Sequence, residues 1–301
     1  MWCLEMNKKP FLISAVGTPL KDGGALHREA LSAHLSDQWK HGIDGVLIAG
    51  SMGTAQLLAD DAYRDLIQHG TECARGCGEV FVGVGDTSYD RTRCRIEYVN
   101  SIKVDAVVIL TPYLIRYQNT ELIDYYSTLA DISDAPIYLY DLPALVGWSV
   151  PIEVILDLAS HPNIHGIKCS CPLGHARMIE DQVGQSFRII HAQPLLLDRL
   201  LRSESLDHLD GIFSLAPAWT KSIGDAAQVG DWKKASDYQN KIIQLIQLLA
   251  RFGVYPSYSA LLNARDIPGN YAPRPIHALA EVQLYELLND PIARELIHCS
   301  G

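Results

Sequence analysis

The sequence predicts an α/β fold, a (β/α)₈ TIM barrel followed by a C-terminal helical segment, and three observations support this class. A short apolar run that ends in small or polar residues, followed by an amphipathic stretch, occurs eight times along the 301 residues. The runs are continuous rather than alternating in hydrophobicity, as expected for parallel strands covered on both faces. Their starts lie about 23 to 35 residues apart, which is the size of a βα unit. Eight such units fit one closed barrel.

The individual elements follow from this pattern in chain order. The predicted strands cover residues 11–16, 45–49, 80–85, 106–110, 137–140, 164–168, 188–191 and 211–214. The predicted helices lie near residues 25–41, 56–76, 88–103, 119–133, 151–160, 173–184 and 194–206. After the eighth strand only helical periodicity continues, punctuated by Gly and Pro. We therefore expect a barrel domain over residues 8–216, carrying the active site, and a helical domain over residues 217–301.

A doubly wound open sheet is the alternative arrangement of βα units. Such a sheet usually carries a glycine-rich, phosphate-binding turn after its first strand. Here that turn is Gly17-Thr18-Pro19-Leu20, which has no such signature. The barrel is therefore the preferred fold.

Composition and charge exclude several classes of function. The formal net charge is −10 and no basic cluster occurs, which argues against nucleic acid and anionic membranes as partners. No apolar run reaches the roughly 18 residues of a membrane span, and the first ten residues lack the apolar core of a secretion signal. The seven cysteines match neither a disulfide framework nor a zinc site. These features predict a cytoplasmic protein.

Lys168 is the most informative residue for chemistry. The active site of a TIM barrel lies at the C-terminal ends of the strands, and Lys168 is the only lysine at a predicted strand end. Burial in a barrel mouth favours the neutral amine, which is the form that adds to a carbonyl. The alternative is a structural lysine that pairs with a carboxylate such as Asp141.

Two further strand ends offer groups that suit the same chemistry. Tyr140 ends the strand next to that of Lys168, about 5 Å away at the backbone, and its phenol could transfer protons to a carbinolamine, although it could equally be a packing residue. The turn from Gly50 to Gly53 offers backbone N–H groups and the Ser51 hydroxyl to a carboxylate. His191 is expected to be a hydrogen-bonded histidine, since no His-x-His pair or carboxylate cluster indicates a metal.

Motifs along essentially the whole chain resemble the dihydrodipicolinate synthase and N-acetylneuraminate lyase family of class I, Schiff-base-forming aldolases. The motifs are Gly17-Thr18-Pro19, Gly50-Ser51-Met52-Gly53-Thr54, Thr111-Pro112-Tyr113, Tyr140-Asp141-Leu142-Pro143, Gly166-Ile167-Lys168 and Arg274-Pro275. Each is a modest signal alone, but their order along the chain and their positions at strand ends are specific.

The resemblance implies a role for each matching residue. Lys168 would form the imine and Tyr140 would be the proton shuttle. Ser51 and the backbone of Met52 would bind the substrate carboxylate, and Phe213 and Ser214 would be strand-eight substrate contacts. The family further implies a small-molecule 2-oxo acid substrate, a homotetramer, and neither a metal nor an organic cofactor.

Departures from the family pattern concern the substrate. Met52 replaces a threonine and Thr54 a glutamate of the carboxylate motif. Leu114 stands where dihydrodipicolinate synthases carry an interface tyrosine, and Leu145 where they carry a carboxylate-binding arginine. Sialic acid lyases carry an acidic pair after strand seven, and here those positions are Pro194 and Leu195.

We therefore expect a lyase, an aldolase or dehydratase, that acts on a 2-oxo acid such as pyruvate or a 2-keto-3-deoxy sugar acid through a Schiff base on Lys168. Dihydrodipicolinate synthase or N-acetylneuraminate lyase activity is the alternative. A non-catalytic family member that binds a 2-oxo acid is the second alternative. A metal-dependent barrel hydrolase is disfavoured because the strand ends lack a ligand set.

Overall fold

The computed structural model describes residues 9–299, and its eight strands form a closed parallel barrel in the order β1 to β8. The strands are β1 (Phe11–Ala15), β2 (Gly45–Ile48), β3 (Glu79–Gly83), β4 (Ala106–Leu110), β5 (Ile137–Asp141), β6 (Ile164–Cys169), β7 (Arg188–His191) and β8 (Asp207–Asp210). This topology confirms the predicted (β/α)₈ barrel.

Helices alternate with the strands and then continue alone after β8. Those between strands are α1 (Arg28–Lys40), α2 (Asp60–Ala74), α3 (Tyr89–Asn100), α4 (Asn119–Ile132), α5 (Pro143–Val146), α6 (Ile152–Leu158), α7 (Leu173–Glu180) and α8 (Leu197–Arg202). After β8 follow α9 (Gly211–Leu215), α10 (Pro217–Gln228), α11 (Trp232–Phe252), α12 (Val254–Ala264), α13 (Glu281–Asn289) and α14 (Pro291–His298). The helical C-terminal segment is confirmed as well. No helix within residues 9–299 is long and apolar enough to span a membrane.

The burial of the elements explains why the sequence pattern predicts them. Every residue of β2 and of β4 is buried, which accounts for their continuous apolar sequences. Helix α2 instead buries one stripe, with Tyr63, Leu66 and Ile67 spaced three and four residues apart. Periodicity therefore identifies both kinds of element before any tertiary contact is known.

The eighth predicted strand is wrong in position. Residues 211–214 lie in helix α9, and the strand is the preceding, polar segment Asp207–Asp210, which pairs with β1. The Asp210 carboxylate accepts a hydrogen bond from Ile212 N at 2.9 Å and so caps α9. The apolar run at residues 211–214 is therefore buried as part of a helix and not as a strand. The other seven strands agree with the prediction to within two residues at each end.

The chain divides into two compact units. One contains the residues up to Gly45 together with those from Gln193 onward, and the other is Val46–Ala192. In the first unit α10 packs against α11, and Trp219 of α10 is fully buried. In the second unit β3 to β7 form consecutive parallel pairs. The boundary at residue 216 between a barrel domain and a helical domain stays a prediction.

Candidate active site

Lys168 and Tyr140 lie side by side on adjacent strands of the second unit. Lys168 of β6 is the register partner of Tyr140 of β5. Register partners on parallel strands project to the same face. The Lys168 Nζ accordingly lies 3.7 Å from the centroid of the Tyr140 ring, and each of the two residues is 4% exposed. A lysine this deeply buried usually has a specific role.

Asp141 does not face Lys168, so this carboxylate is not the partner of that lysine. The next register pair along the two strands is Asp141 and Cys169, which projects to the opposite face. There the Asp141 Oδ1 accepts a hydrogen bond from Val150 N at 3.2 Å, and the Oδ2 lies 3.8 Å from His175 Nε2. Burial raises the pKa of Asp141, while the hydrogen bond from Val150 and the nearby His175 oppose that shift.

Ser51 extends the pair into a row of three polar side chains. Its Oγ lies 3.1 Å from the Tyr140 Oη, and either oxygen could donate the proton. The position of Ser51 depends on an unusual turn after β2, in which Ala49 and Thr54 both adopt left-handed backbone conformations. Such conformations are uncommon for residues other than glycine and often occur at functional sites.

Met52 occupies the next position in the same turn. The turn is closed by hydrogen bonds from Thr54 N to Ser51 O at 3.1 Å and from Ala55 N to Gly50 O at 3.4 Å. The Met52 N–H makes neither of these bonds, and its side chain is half-buried. A backbone donor beside a serine hydroxyl suits a carboxylate ligand.

Thr111 is a site residue to which sequence reasoning assigned no role of its own. Its N and its Oγ1 both donate to the Tyr140 carbonyl oxygen, at 3.1 and 2.8 Å. The end of β4 therefore anchors the backbone that carries the phenol. In the sequence, the Thr-Pro turn after a buried strand could have indicated this role. A threonine at that position offers both a backbone N–H and a hydroxyl to the neighbouring strand.

Phe213 and Ser214, the two predicted strand-eight contacts, lie on α9 in the first unit rather than on a strand. Both are buried, and the Ser214 Oγ lies 2.6 Å from the Tyr258 Oη and 2.7 Å from the Gly211 carbonyl oxygen. The Ser214 hydroxyl is thus engaged within the protein. Contact of either residue with a substrate stays a prediction.

His191 contacts a carboxylate: its Nε2 lies 2.7 Å from the Glu180 Oε1. This agrees with the predicted hydrogen-bonded histidine. Within residues 9–299, no group of three or more His, Cys, Asp or Glu side chains is arranged to hold a metal ion.

Comparison with known proteins identifies the family. The model of the dihydrodipicolinate synthetase family matches residues 10–290. A 4-hydroxy-tetrahydrodipicolinate synthase of Exiguobacterium sp. is 25% identical over 277 residues, covering 90% of this chain and 94% of that protein. An N-acetylneuraminate lyase of Rhizobium meliloti is 28% identical over 287 residues, covering 92% of each.

Solved structures support the same fold. YagE of E. coli K12, a member of the dihydrodipicolinic acid synthase family solved in complex with pyruvate, superposes with a TM-score of 0.87 at 22% identity. The superposition covers 95% of this chain and 98% of that one. Because the family model spans nearly the whole sequence, this chain belongs to the dihydrodipicolinate synthetase family and is a class I aldolase-type lyase.

Proposed function

We propose that the protein is an aldolase or dehydratase that holds a 2-oxo acid, such as pyruvate or a 2-keto-3-deoxy sugar acid, as a Schiff base on Lys168. The observation that carries this proposal is the placement of a buried Lys168 Nζ 3.7 Å from the Tyr140 ring, on the face opposite Asp141. The motif match to Schiff-base-forming aldolases supports the same role.

In the proposed reaction the neutral Lys168 amine adds to the C2 carbonyl of the substrate, forming an N–C bond. The resulting carbinolamine loses its hydroxyl as water when Tyr140 donates a proton to the departing oxygen. The iminium keeps its proton on nitrogen, and the Tyr140 phenolate remains as a base beside Ser51, whose Oγ lies 3.1 Å away. In the aldolase case the iminium then accepts the electron pair of the C3–C4 bond as that bond breaks, the C4 hydroxyl gives its proton to the Tyr140 phenolate, and C4 leaves as an aldehyde.

The substrate carboxylate is assigned to the turn after β2. The Ser51 hydroxyl and the Met52 N–H supply two donors from one rigid turn. Binding energy at this group orients C2 toward the amine, which is the contribution that positioning makes to catalysis.

The remainder of the substrate is proposed to be a sugar-acid chain rather than an amino aldehyde. Leu114 is 78% exposed and Leu145 is 60% exposed, and neither can pair with a second carboxylate. Arg116 lies two residues after Leu114 and is the cation nearest to it in sequence. Its Cζ lies 5.5 Å from the centroid of the Trp148 ring. Dihydrodipicolinate synthase and N-acetylneuraminate lyase activities are the alternatives. Relatives with each of these activities in their names support the lyase class but do not favour one substrate over another.

Borohydride trapping tests the imine. Incubation with pyruvate and borohydride is expected to leave a covalent adduct on the peptide that contains Lys168, detected by mass spectrometry. Lys168→Ala should abolish the adduct and turnover, whereas Lys233→Ala, at an exposed helix position, should change neither. An unmodified protein, or an adduct on another lysine, would contradict the mechanism.

Further proposals concern assembly and location. By the family resemblance the protein is proposed to be a homotetramer, and by its composition a cytoplasmic one. Light scattering of the purified protein at several concentrations measures the first, and fractionation of the source cells the second.

A further inference from the structure

A buried cluster surrounds the phenol oxygen of Tyr258 on α12, entirely within the first unit. This oxygen lies 2.6 Å from the Ser214 Oγ, 2.9 Å from the His34 Nε2 and 3.3 Å from the Gly17 backbone nitrogen. His34, Ser214 and Tyr258 are each at most 1% exposed. One atom therefore joins α1, α9, α12 and the turn that follows β1. We call this the Tyr258 cluster.

The direction of each hydrogen bond in the cluster follows from the available protons. The Ser214 hydroxyl donates to the carbonyl oxygen of Gly211 at 2.7 Å, because a carbonyl can only accept. The Tyr258 hydroxyl therefore donates to the Ser214 oxygen. Its two lone pairs accept from the Gly17 N–H and from the His34 Nε2–H. Every hydrogen-bonding position of the phenol oxygen is used.

This arrangement requires a neutral His34 with its proton on Nε2. Its Nδ1 is buried and has no hydrogen-bond partner among the described residues, so a second ring proton would have no acceptor. Burial and the nearby Arg265 lower the pKa of His34 to about 4, with Asp37 opposing them. The cluster therefore keeps one hydrogen-bond pattern at neutral pH.

The ring of Tyr258 also packs directly against the turn after β1. A Cβ atom added to Gly17 would lie 2.6 Å from Tyr258 Cε1 and 2.8 Å from Tyr271 Cδ1. Three residues on, Leu20 and Asn270 exchange backbone hydrogen bonds of 2.8 and 3.1 Å. The C-terminal segment thus holds the turn from Gly17 to Leu20 at two points.

The two segments that Tyr258 joins follow β1 and β8 at their carboxyl ends, and active sites of TIM barrels are built from such segments. We propose that Tyr258 is a positioning residue, which holds the Gly17 turn and α9 in their substrate-binding conformation before substrate arrives. Ser214 then acts through Tyr258 rather than by donating its hydroxyl to the substrate. This inference rests on the proposed Schiff-base function.

The substitution Tyr258→Phe tests the inference, since it keeps the ring and removes only the oxygen. Segments that are no longer held in place must be ordered by the ligand, which weakens binding. The pyruvate concentration that half-saturates borohydride trapping on Lys168 is therefore expected to rise about tenfold. The extent of trapping at saturating pyruvate should match the wild type, because the lost hydrogen bonds are those to Gly17, His34 and Ser214 and not to Lys168 or Tyr140.

Tyr271→Phe is the matched control. Tyr271 is also buried, its ring centroid lies 5.4 Å from that of Tyr258, and its hydroxyl has no hydrogen-bond partner within the described chain. Its substitution should leave the half-saturating concentration within about twofold of the wild type, since no hydrogen bond is lost. An equal rise in both variants would overturn the inference, because ring packing rather than the oxygen would then be responsible.

A spectroscopic readout separates positioning from general instability. In the wild type, ¹⁵N NMR at neutral pH should find the His34 proton on Nε2 and protected from exchange, and Tyr258→Phe should remove that protection. If Tyr258→Phe does not fold, Ser214→Ala removes the acceptor of the phenol proton together with the hydrogen bond from Ser214 to the Gly211 carbonyl oxygen. A rise of about threefold in the half-saturating pyruvate concentration is then expected.

These experiments distinguish a failure of this inference from a failure of the proposed Schiff-base function. The inference would be overturned if the folded Tyr258→Phe variant, or Ser214→Ala in its place, had the half-saturating pyruvate concentration of the wild type. The proposed Schiff base on Lys168 would not be affected by that result. Absence of an adduct in the wild type would overturn the proposed function and this inference with it.

Discussion

At the scale of single residues, the proposed proton shuttle is the phenol of Tyr140. It lies against Lys168 and 3.1 Å from the Ser51 Oγ, and Thr111 holds its backbone. Tyr140→Phe is expected to slow turnover about 10²- to 10⁴-fold, the usual effect of losing a positioned proton donor. Steady-state kinetics measures the loss, with the exposed Tyr285→Phe as control. A rate within about threefold of the wild type would make Tyr140 a packing residue.

Asp141 gives a prediction on pH. Because burial raises its pKa in the folded state, the protonated form is favoured there. The stability it contributes is present below the pKa of the unfolded chain, and it is lost as pH rises through the raised folded value. Asp141→Asn keeps the acceptor for Val150 N and removes the charge. The variant should therefore melt at a higher temperature than the wild type at pH 7, and the difference should shrink as pH is lowered toward 4. A constant difference would show that Asp141 does not titrate.

At the scale of elements, β6 depends on Gly166, two residues before Lys168. A Cβ at Gly166 would lie 2.1 Å from the Arg188 carbonyl oxygen and 2.8 Å from Tyr138 Cε1. The pairing of β5 with β6 shifts register at this point, between Ile137 and Tyr138. The backbone of β6 must move to accept a methyl group there, and Lys168 must move with it.

Gly166→Ala is accordingly expected to lower the melting temperature and to slow trapping on Lys168. The stability cost should be about 1–3 kcal/mol, as for other overpacked core positions. Gly174→Ala in α7 is the matched control, since no atom lies within 4 Å of its added Cβ. That change should be neutral or slightly stabilising, because alanine favours a helix more than glycine does. Equal effects at both positions would contradict the steric argument.

At the scale of the whole molecule, we expect no efficient dihydrodipicolinate synthase activity. That reaction needs a second substrate with its own carboxylate, and the synthases that this chain resembles hold it with an arginine after strand five. Leu145 has neither charge nor donor, and Leu114 lacks the phenol of the interface tyrosine. Desolvating an unpaired carboxylate costs several kcal/mol.

A coupled assay with pyruvate and aspartate semialdehyde measures this activity. The expected catalytic efficiency is below about 10⁴ M⁻¹s⁻¹, the low end for dedicated enzymes. Leu145→Arg should raise it if the missing charge is the main defect. A higher efficiency in the wild type would instead make the synthase alternative the preferred function.

The sequence alone determined the barrel, the strand that carries Lys168 and the neighbouring strand that carries Tyr140. These features depend on local periodicity and on the pairing of consecutive parallel strands, which are properties of short segments. The same reasoning failed at β8, where the polar Asp207–Asp210 forms the strand and the apolar run after it forms α9. Burial in tertiary contacts overrode local preference there.

Only the tertiary structure decided which polar groups meet. Asp141 was a candidate partner for Lys168, but its carboxylate instead meets Val150 N and the His175 ring, which come from other parts of the chain. Gly17 and Tyr258 are 241 positions apart, yet the Tyr258 phenol oxygen accepts a hydrogen bond from the Gly17 backbone N–H. No local pattern encodes such a contact. It exists because the folded chain buries both groups together, and a buried donor requires an acceptor.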